Sequence, residues 1–277
     1  MTASLLVVGG GKMGTALLGG LLRSGRAHDD HVVVVEPLEA RRAELADEYP
    51  DVRTVAAPEP GLLSAGEAEG DPLRLPGAIL AVKPDTAEGA CRALGATGVT
   101  RVLSIVAGMP STRLEAALGG EPVVVRAMPN TPALVGAGVT AISGGSFATS
   151  ADLAWAEHVL SAVSTVVRLP ERLLDPVTGV SGSGPAYFFL VAEAMIEAGV
   201  QMGLTREVSR TLVVQTMLGS ARMLDETGQE PEALRSMVTS PAGTTAAAVR
   251  VLEAKAVRSA FMEAVAAATE RARNLHR

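Results

Sequence analysis

Residues 239–245 form an uncharged turn, Thr-Ser-Pro-Ala-Gly-Thr-Thr, within a C-terminal third whose other segments have helical patterning. An alanine run at residues 246–248 follows at once and favours a helix. The threonine pair, Thr244 and Thr245, can cap that helix and leave backbone N–H groups pointing outward at its start. Because such groups and the helix dipole attract anions, the pattern predicts a site for a small carboxylate.

A second candidate site is the glycine-rich turn near the other end of the chain. It matches Gly-x-Gly-x-x-Gly between an apolar run and an apolar-periodic stretch. That order is typical of dinucleotide binding, because glycines let a pyrophosphate approach the backbone and the helix start stabilises its charge. A purely structural turn is the alternative. The residues expected to contact the cofactor are Val8, Gly9, Gly10, Gly11, Lys12, Met13 and Gly14.

The acid Glu36 ends the second predicted strand, 22 residues after Gly14. An acid at this place usually contacts the ribose 2′-hydroxyl of NAD, although a solvated strand-end acid is also open. Arg41 and Arg42 lie in the helix that follows, and a swing toward a 2′-phosphate would suit NADP instead. Glu36 favours NADH, and the two arginines leave NADPH open.

Three more strand ends add candidates for cofactor contacts. These are Ala81, Val82, Lys83, Pro84, Val106, Ala107 and Asn130. Small residues at such ends let a nicotinamide lie against the backbone. Lys83 is equally explained as a structural strand-end residue, and Asn130 before Thr-Pro is equally a turn residue.

Alternating short apolar runs and helical stretches must position these turns. Strands are predicted at residues 4–8, 31–35, 52–55, 78–82, 101–106, 123–126, 138–142 and 165–169. Helices are predicted at residues 13–24, 38–48, 85–94, 111–118 and 150–163. Residues 57–77 are rich in proline, glycine and acids and predict a surface excursion. The pattern favours a Rossmann-like α/β domain with a mostly parallel sheet over residues 1–170.

Beyond residue 170 the strand signals stop. Helices are predicted at residues 185–202, 206–224 and 245–275, the last bent near Lys255, which makes residues 171–277 an all-α domain. Residues 186–200 are apolar nearly all round, apart from Glu193 and Glu197. A helix of this kind must be buried on every side, so a partner subunit is expected to cover it.

Composition excludes several classes of protein. The 277 residues carry a net charge of −6, without the basic face that nucleic-acid binding needs. Apolar runs stay well short of the roughly 20 residues that span a membrane. With Cys91 as its one cysteine and no signal peptide, the chain is expected in the cytoplasm. No metal site is expected, since the histidines lack ligand spacing; they are His28, His31, His158 and His276.

The segment from Val238 to Ala248, with Leu252-Glu253 beyond it, resembles the signature of pyrroline-5-carboxylate reductases. The glycine turn and residues 81–84, 126–138 and 177–188 resemble that family's other motifs in the same order. Ala242 stands where the family often has glycine, a minor departure unless the position needs a positive φ. Glu36 replaces a small polar residue that is frequent in relatives.

The resemblance implies reduction of 1-pyrroline-5-carboxylate to L-proline with NADPH or NADH. It implies that Gly243, Thr244 and Thr245 bind the substrate, with the Thr245 hydroxyl on the ring nitrogen as the catalytic contact. Ser240 would support the loop, and Glu171 would lie near the substrate. It also implies a dimer, or a ring of dimers, in which the cofactor domain of one subunit faces the turn of another.

Two alternatives stay open at this point. One is a reductase of a related cyclic imine or a hydroxyacid on the same scaffold. Hydroxyacid enzymes of this architecture usually carry a catalytic lysine on a C-terminal helix. Lys255 is the only lysine in the C-terminal region and lies beyond the turn, which argues against them. The other is a sensor that binds NAD(P) without turnover.

Overall fold

The computed structural model describes residues 3–63 and 76–275. The predicted excursion at residues 57–77 lies largely outside these ranges, as does His276. The described chain divides into two compact units, and each is considered by itself. The first contains the chain up to Ser183 and again from Ala267, and the second runs from Gly184 to Ala266. The predicted boundary at residue 170, between a dinucleotide-binding domain and a substrate-binding and dimerisation domain, stays a prediction.

In the first unit, eight strands form one sheet in the order β3-β2-β1-β4-β5-β6-β7-β8. The strands are β1 (Leu5–Val8), β2 (Val32–Val35), β3 (Arg53–Val55), β4 (Gly77–Leu80), β5 (Arg101–Ser104), β6 (Val123–Met128), β7 (Gly138–Gly144) and β8 (Ser164–Arg168). Neighbours run parallel except β6 and β7. The mostly parallel sheet confirms the predicted fold class.

Strands β1, β2 and β4 have the sequences LLVV, VVVV and GAIL and are buried along their whole length. Such continuous apolar runs are typical of parallel strands covered on both faces. Leu5 and Val7 join one apolar cluster, and Leu6 and Val8 join the other. The single tryptophan, Trp155, is fully buried in the first cluster. The sheet therefore separates two cores, and its strand ends are the edges left for ligands.

Helices cover both faces of this sheet. They are α1 (Lys12–Arg23), α2 (Glu39–Glu48), α3 (Pro84–Gly95), α4 (Ser111–Ala117), α5 (Ser150–Leu160) and the short α6 (Leu174–Val177). Helices α1 to α5 match the predicted segments closely, although α5 ends three residues earlier than expected. Helix α6 and the π-helical turn Thr178–Gly182 after it are not predicted by the sequence.

The second unit is helical. It contains α7 (Gly184–Gln201), α8 (Arg206–Thr227), α9 (Pro231–Met237), α10 (Thr244–Ala254) and the first part of α11 (Val257–Asn274), whose end belongs to the first unit. The expected bend near Lys255 is a break between α10 and α11, where Ala256 has a φ of 55°. Helix α9 is an element that the sequence analysis missed.

Taken alone, the second unit has a very small core. Among its described side chains only Ser209, Val213 and Leu234 are buried. Large apolar side chains of α7 stay exposed, including Phe188 at 64% and Phe189 at 67%. Exposed apolar surface of this extent marks an interface with another protein. Among the described residues, each helix is too short or too polar to cross a membrane.

We predict that Phe189→Lys weakens self-association of the protein. A charge at a buried interface position must be desolvated without a partner, which opposes assembly. Light scattering on the wild-type protein at low micromolar concentration should give at least twice the mass of one chain, and the variant should shift toward one chain.

The matched control is Phe147→Lys, because Phe147 is 60% exposed but lies in the first unit. That variant should keep the wild-type mass. Fluorescence of the buried Trp155 should stay unchanged in both variants, which reports an intact first unit. A wild-type protein that is a monomer under these conditions would refute the interpretation of α7.

Candidate active site

Close backbone packing shapes the glycine turn after β1. Gly9 has a φ of 106°, and a Cβ there would lie 2.5 Å from the carbonyl oxygen of Ala81. A Cβ on Gly14 would overlap the carbonyl oxygen of Gly9, far inside van der Waals distance. Two of the glycines are therefore required by the fold itself, because α1 starts directly against the turn and against the end of β4.

The start of α1 is open toward solvent. Gly11 is the N-cap, without a side-chain cap, and the first turn of the helix carries no acid. The first helical hydrogen bond runs from the Thr15 N–H to the Gly11 carbonyl oxygen at 2.9 Å, so the three N–H groups before Thr15 have no partner within the helix. No atom of the described residues, chain neighbours aside, lies within 4 Å of a Cβ built on Gly11. This backbone cradle fits the pyrophosphate of a dinucleotide.

Glu36 stands beside this cradle at the end of β2, where only 8% of the residue is exposed. Its Oε2 accepts the Gly10 N–H at 2.9 Å, and its Oε1 accepts the Leu38 N–H at 3.0 Å. The contact of Glu36 with a ribose stays a prediction. A solvated acid is excluded, because the carboxylate is buried and engaged on both oxygens.

Arg41 and Arg42 lie in α2, as expected, and both contact this region. Arg41 donates from Nε to the Gly10 carbonyl oxygen at 2.7 Å and from Nη2 to the Thr15 hydroxyl at 2.9 Å. Arg42 donates from Nη1 to the carbonyl oxygens of Glu36 and Pro37. The two guanidinium groups thus brace the glycine turn and the end of β2.

The other predicted cofactor residues lie at the same sheet edge. Ala81 follows β4, and its N–H donates to the Val8 carbonyl oxygen at 2.8 Å. Lys83 is the N-cap of α3, and Pro84 begins that helix. The Lys83 carbonyl oxygen accepts the Thr86 N–H and hydroxyl at 3.1 and 3.0 Å. Its backbone thus has a structural role, and a cofactor contact from its ammonium group stays a prediction.

Beyond β5 and β6 the candidates are structurally engaged as well. Val106 is buried, and its N–H contacts the Ser104 hydroxyl at 3.3 Å. Asn130 is buried, and its Oδ1 accepts the Val139 N–H at 3.0 Å, which ties the end of β6 to the start of β7. The turn role of Asn130 is therefore visible in the structure. Val82 and Ala107 complete the set at this edge, beside Ala81 and Val106.

Glu171 is held in a polar cluster within the first unit. Its Oε1 accepts the Ser111 N–H and an Arg126 guanidinium N–H, both at 2.8 Å, and its Oε2 accepts the Ser111 hydroxyl at 2.7 Å. Burial raises the pKa of Glu171, but the hydrogen bonds from Arg126 and Ser111 outweigh burial and leave the pKa below its usual value. The contact of Glu171 with substrate stays a prediction.

Sequence reasoning missed both partners of Glu171. Arg126 is 6% exposed within an otherwise apolar strand. An arginine in an apolar strand predicts a buried cation, and a buried cation needs an acid nearby. The sequence thus contained a signal for the partner of Arg126, although it did not identify Glu171.

In the second unit, residues 239–243 lead into α10. The prediction that threonines cap this helix is wrong: Gly243 is the N-cap, with no side-chain cap, and Thr244 and Thr245 are the first helical residues. A Cβ on Gly243 would require the Ser240 hydroxyl to move, so Ser240 packs closely against this N-cap. The first intrahelical bond is from the Ala247 N–H to the Gly243 carbonyl oxygen, which leaves the Thr244, Thr245 and Ala246 N–H groups without one. The expected outward N–H groups are thus present without a threonine cap.

Ala242 in this turn has a φ of 58°, in the left-handed region. The substitution for the family's glycine is therefore more than a minor departure, because a Cβ is strained in this conformation. Strain of this kind concentrates at functional sites.

Other chemistry is not apparent in the described residues. They contain no group of three histidine, cysteine or carboxylate side chains that could hold a metal ion. Burial and the nearby Glu88 raise the pKa of Cys91 to about 11, so its thiol is protonated and unreactive at neutral pH.

Fold and sites together define a dinucleotide-binding α/β protein with a helical, self-associating unit. The model of the family "Pyrroline-5-carboxylate reductase dimerisation" matches residues 171–275, and that of "NADP oxidoreductase coenzyme F420-dependent" matches residues 4–108. The chain is 40% identical to the pyrroline-5-carboxylate reductase of Synechocystis, over 99% of each protein. The chain belongs to the pyrroline-5-carboxylate reductase family.

Further relatives agree with this assignment. The chain is 41% identical to the Mycobacterium tuberculosis pyrroline-5-carboxylate reductase, over 99% of this chain and 97% of that protein. The Coxiella burnetii pyrroline-5-carboxylate reductase structure superposes with a TM-score of 0.87, 34% identity and full coverage of both chains. The Plasmodium falciparum structure, solved with NADP bound, has a TM-score of 0.82 at 28% identity and covers 99% of this chain and 98% of its own.

The glycines at positions 11 and 14 give a first test. Gly14→Ala places a methyl group on the Gly9 carbonyl oxygen and should cost about 2 kcal/mol of stability. Gly11→Ala fits the observed φ of −72° and open space, so its stability should stay within about 0.5 kcal/mol of wild type. The same methyl group should nevertheless weaken NADH binding in a fluorescence titration. Full NADH affinity in Gly11→Ala would contradict the position assigned to the pyrophosphate.

Strain at Ala242 gives a second test. Ala242→Gly should stabilise the protein by about 0.5–1 kcal/mol in thermal unfolding, because it removes a Cβ from a left-handed conformation. The control is Ala248→Gly inside α10, which should destabilise by about 1 kcal/mol through lost helix propensity. Equal effects from both variants would show that Ala242 is unstrained.

The Glu171 cluster gives a third test. A carboxylate whose pKa is lowered by folding stabilises the protein above its unfolded pKa of about 4.3 and loses that contribution as pH falls. Glu171→Gln should therefore cost about 2 kcal/mol at neutral pH, and the difference from wild type should shrink in acid. Denaturant unfolding across this pH range measures it.

Glu157→Gln is the control, since Glu157 pairs with Arg168 at an exposed position. Its cost should stay below about 1 kcal/mol. A Glu171→Gln cost that is independent of pH would contradict the charged role of Glu171.

Proposed function

We propose that this protein reduces 1-pyrroline-5-carboxylate to L-proline with NADH or NADPH as the reductant. The observation that carries the proposal is that the chain has two helix starts open to anions, α1 behind a dinucleotide turn and α10 behind a turn with two threonines. The first fits a pyrophosphate, and the second fits the single carboxylate of a small imine. Membership in the reductase family supplies the reaction that joins them.

Bound NAD(P)H would supply a hydride to the carbon of the substrate C=N bond. The glycine turn would hold the pyrophosphate through backbone N–H groups at residues 12–14, and Glu36 would hold the ribose. The residues after β4, β5 and β6 would form the floor for the nicotinamide; they are Ala81, Val82, Lys83, Pro84, Val106, Ala107 and Asn130. Buried strands position all of these residues, so little reorganisation accompanies binding.

On the substrate side, the N–H groups of Thr244 and Thr245 and the dipole of α10 would bind the carboxylate. Ser240 stands close to Gly243 and keeps the turn in shape. The Thr245 hydroxyl would hydrogen-bond the ring nitrogen and hold the proton that the nitrogen keeps in the product. Because the imine accepts a hydride better when protonated, this contact orients the reacting bond and stabilises the charge on it. Rate enhancement would come mainly from positioning two bound partners.

We further propose that the assembly is a dimer or a ring of dimers, in which the glycine turn of one subunit serves the α10 turn of another. Two observations support self-association: the apolar side chains of α7 are exposed, and residues 171–275 match a dimerisation family. The proposed partners are the small-molecule substrate and further copies of this chain, with no nucleic acid and no membrane. The net charge of −6 supports the absence of nucleic acid among the partners, and the single, free cysteine supports a cytoplasmic location.

Replacement of Thr245 tests the catalytic contact. Thr245→Ala should lower kcat/KM about tenfold or more, the effect of losing one hydrogen bond to a charged partner. Thr245→Ser keeps the hydroxyl and should retain most of the activity. The assay follows loss of absorbance of NADH and of NADPH with pyrroline-5-carboxylate, and the one-carbon-larger cyclic imine is the control substrate. Full turnover in Thr245→Ala would remove the hydroxyl from the mechanism, and preference for the larger imine would reassign the substrate.

A further inference from the structure

The side chain of Glu36 is fixed beside the cradle for the dinucleotide. In a doubly wound sheet the adenosine ribose lies at the end of β2, next to the glycine turn. Here that place is taken by a buried carboxylate whose two oxygens each accept a backbone N–H, from Gly10 and from Leu38. We infer that the protein selects NADH over NADPH and that Glu36 is the residue that sets this preference. The inference rests on the proposed function, because it concerns the reductant of the same site.

The carboxylate cannot move aside at low cost. Rotating it away would leave the Gly10 and Leu38 N–H groups unpaired in a region where Glu36 is 8% exposed. Gly10 is itself closely packed, since a Cβ there would lie 2.6 Å from the Leu45 side chain and 3.3 Å from the Glu36 Oε2. A ribose 2′-hydroxyl can donate to such a carboxylate. A 2′-phosphate carries about −1.5 to −2 charges at neutral pH and no such donor, so it meets an acceptor of like charge.

The neighbouring arginines do not offset this repulsion in their observed positions. Arg41 is engaged by the Gly10 carbonyl oxygen, by the Thr15 hydroxyl and by Glu44, its Nη1 lying 2.6 Å from Glu44 Oε2. Arg42 is engaged by the carbonyl oxygens of Glu36 and Pro37 at 2.9 and 2.8 Å. Moving either guanidinium group toward a 2′-phosphate would break contacts that hold the glycine turn or the end of β2.

The fold alone leaves the choice of reductant open. The Plasmodium structure of the same fold contains NADP. The preference inferred here follows from Glu36 and from its contacts in this chain, so it belongs to this protein rather than to every member of the family.

Direct binding to the wild-type protein tests the inference without turnover. Titration of the full chain with NADH and with NADPH, followed by nicotinamide fluorescence, should give at least about tenfold tighter binding of NADH, as expected for a like charge at close range in a partly buried site. Competition by 5′-AMP against adenosine 2′,5′-bisphosphate should show the same order. Equal affinities, or tighter binding of NADPH, would overturn the inference.

Two isosteric variants locate the effect. Glu36→Gln removes the charge and should bind NADPH about tenfold more tightly than wild type while binding NADH more weakly. Glu39→Gln removes the same charge three residues further along and should leave the ratio of the two affinities unchanged. If both variants shift the ratio equally, overall charge sets the preference and Glu36 does not. If Glu36→Gln fails to fold, Glu36→Ser, which also removes the charge, takes its place in the comparison with Glu39→Gln.

Failure of this inference can be told apart from failure of the proposed function. Tighter binding of NADPH together with proline formation would overturn only the preference for NADH. If neither dinucleotide binds, or if bound dinucleotide is never oxidised by pyrroline-5-carboxylate, the proposed function itself fails. Steady-state kcat/KM values with both reductants should follow the order of the binding constants.

Discussion

The backbone contact between Gly14 and Gly9 is the constraint on which the dinucleotide end of this molecule depends. The carbonyl oxygen of Gly9 occupies the space of any side chain at position 14, and the Ala81 carbonyl oxygen blocks one at position 9. These contacts let α1 begin directly at the end of β1, between β2 and β4 in the sheet. As a result, the free N–H groups of the helix point to the sheet edge where Glu36 and Ala81 also lie. A bulkier turn would move all of these groups apart.

Both proposed anion sites would use backbone rather than charged side chains. At α1 and at α10 the N-cap is a glycine without a side-chain cap, so the first N–H groups of each helix have no partner within the helix. In the first unit, Arg41 and Arg42 bond the glycine turn and the end of β2, and Arg126 pairs with Glu171. A carboxylate held by N–H groups needs no arginine, which is consistent with the uncharged residues 239–245. It also leaves the Thr245 hydroxyl for the ring nitrogen in the proposed mechanism.

Much of the fold follows from sequence pattern, because buried parallel strands are short apolar runs and their helices have a clear period. All eight strands and helices α1 to α5 were placed within a few residues. The errors lie where conformation depends on tertiary contacts. One error is helix α9, a short element between Glu230 and Val238. Another is the break at Ala256, which has a positive φ that an alanine in the sequence does not predict. Thr244 and Thr245 resemble caps in sequence, yet Gly243 is the N-cap, directly after Ala242 with its positive φ. For the site, spacing correctly placed Glu36 at the end of the second strand, but its bond to the Gly10 N–H and the partners of Glu171 depend on tertiary contacts that spacing does not show.

We propose that the two ends of this chain cooperate in one hydride transfer to a cyclic imine. The most direct measurement is isotopic: purified protein is incubated with pyrroline-5-carboxylate and NADH that carries deuterium at both positions of nicotinamide C4, and the proline is analysed by mass spectrometry and NMR. We expect L-proline with one deuterium on the ring carbon that is bonded to nitrogen and does not carry the carboxylate, in an amount equal to the NADH oxidised. Proline without the label, or oxidation of NADH without proline, would contradict it.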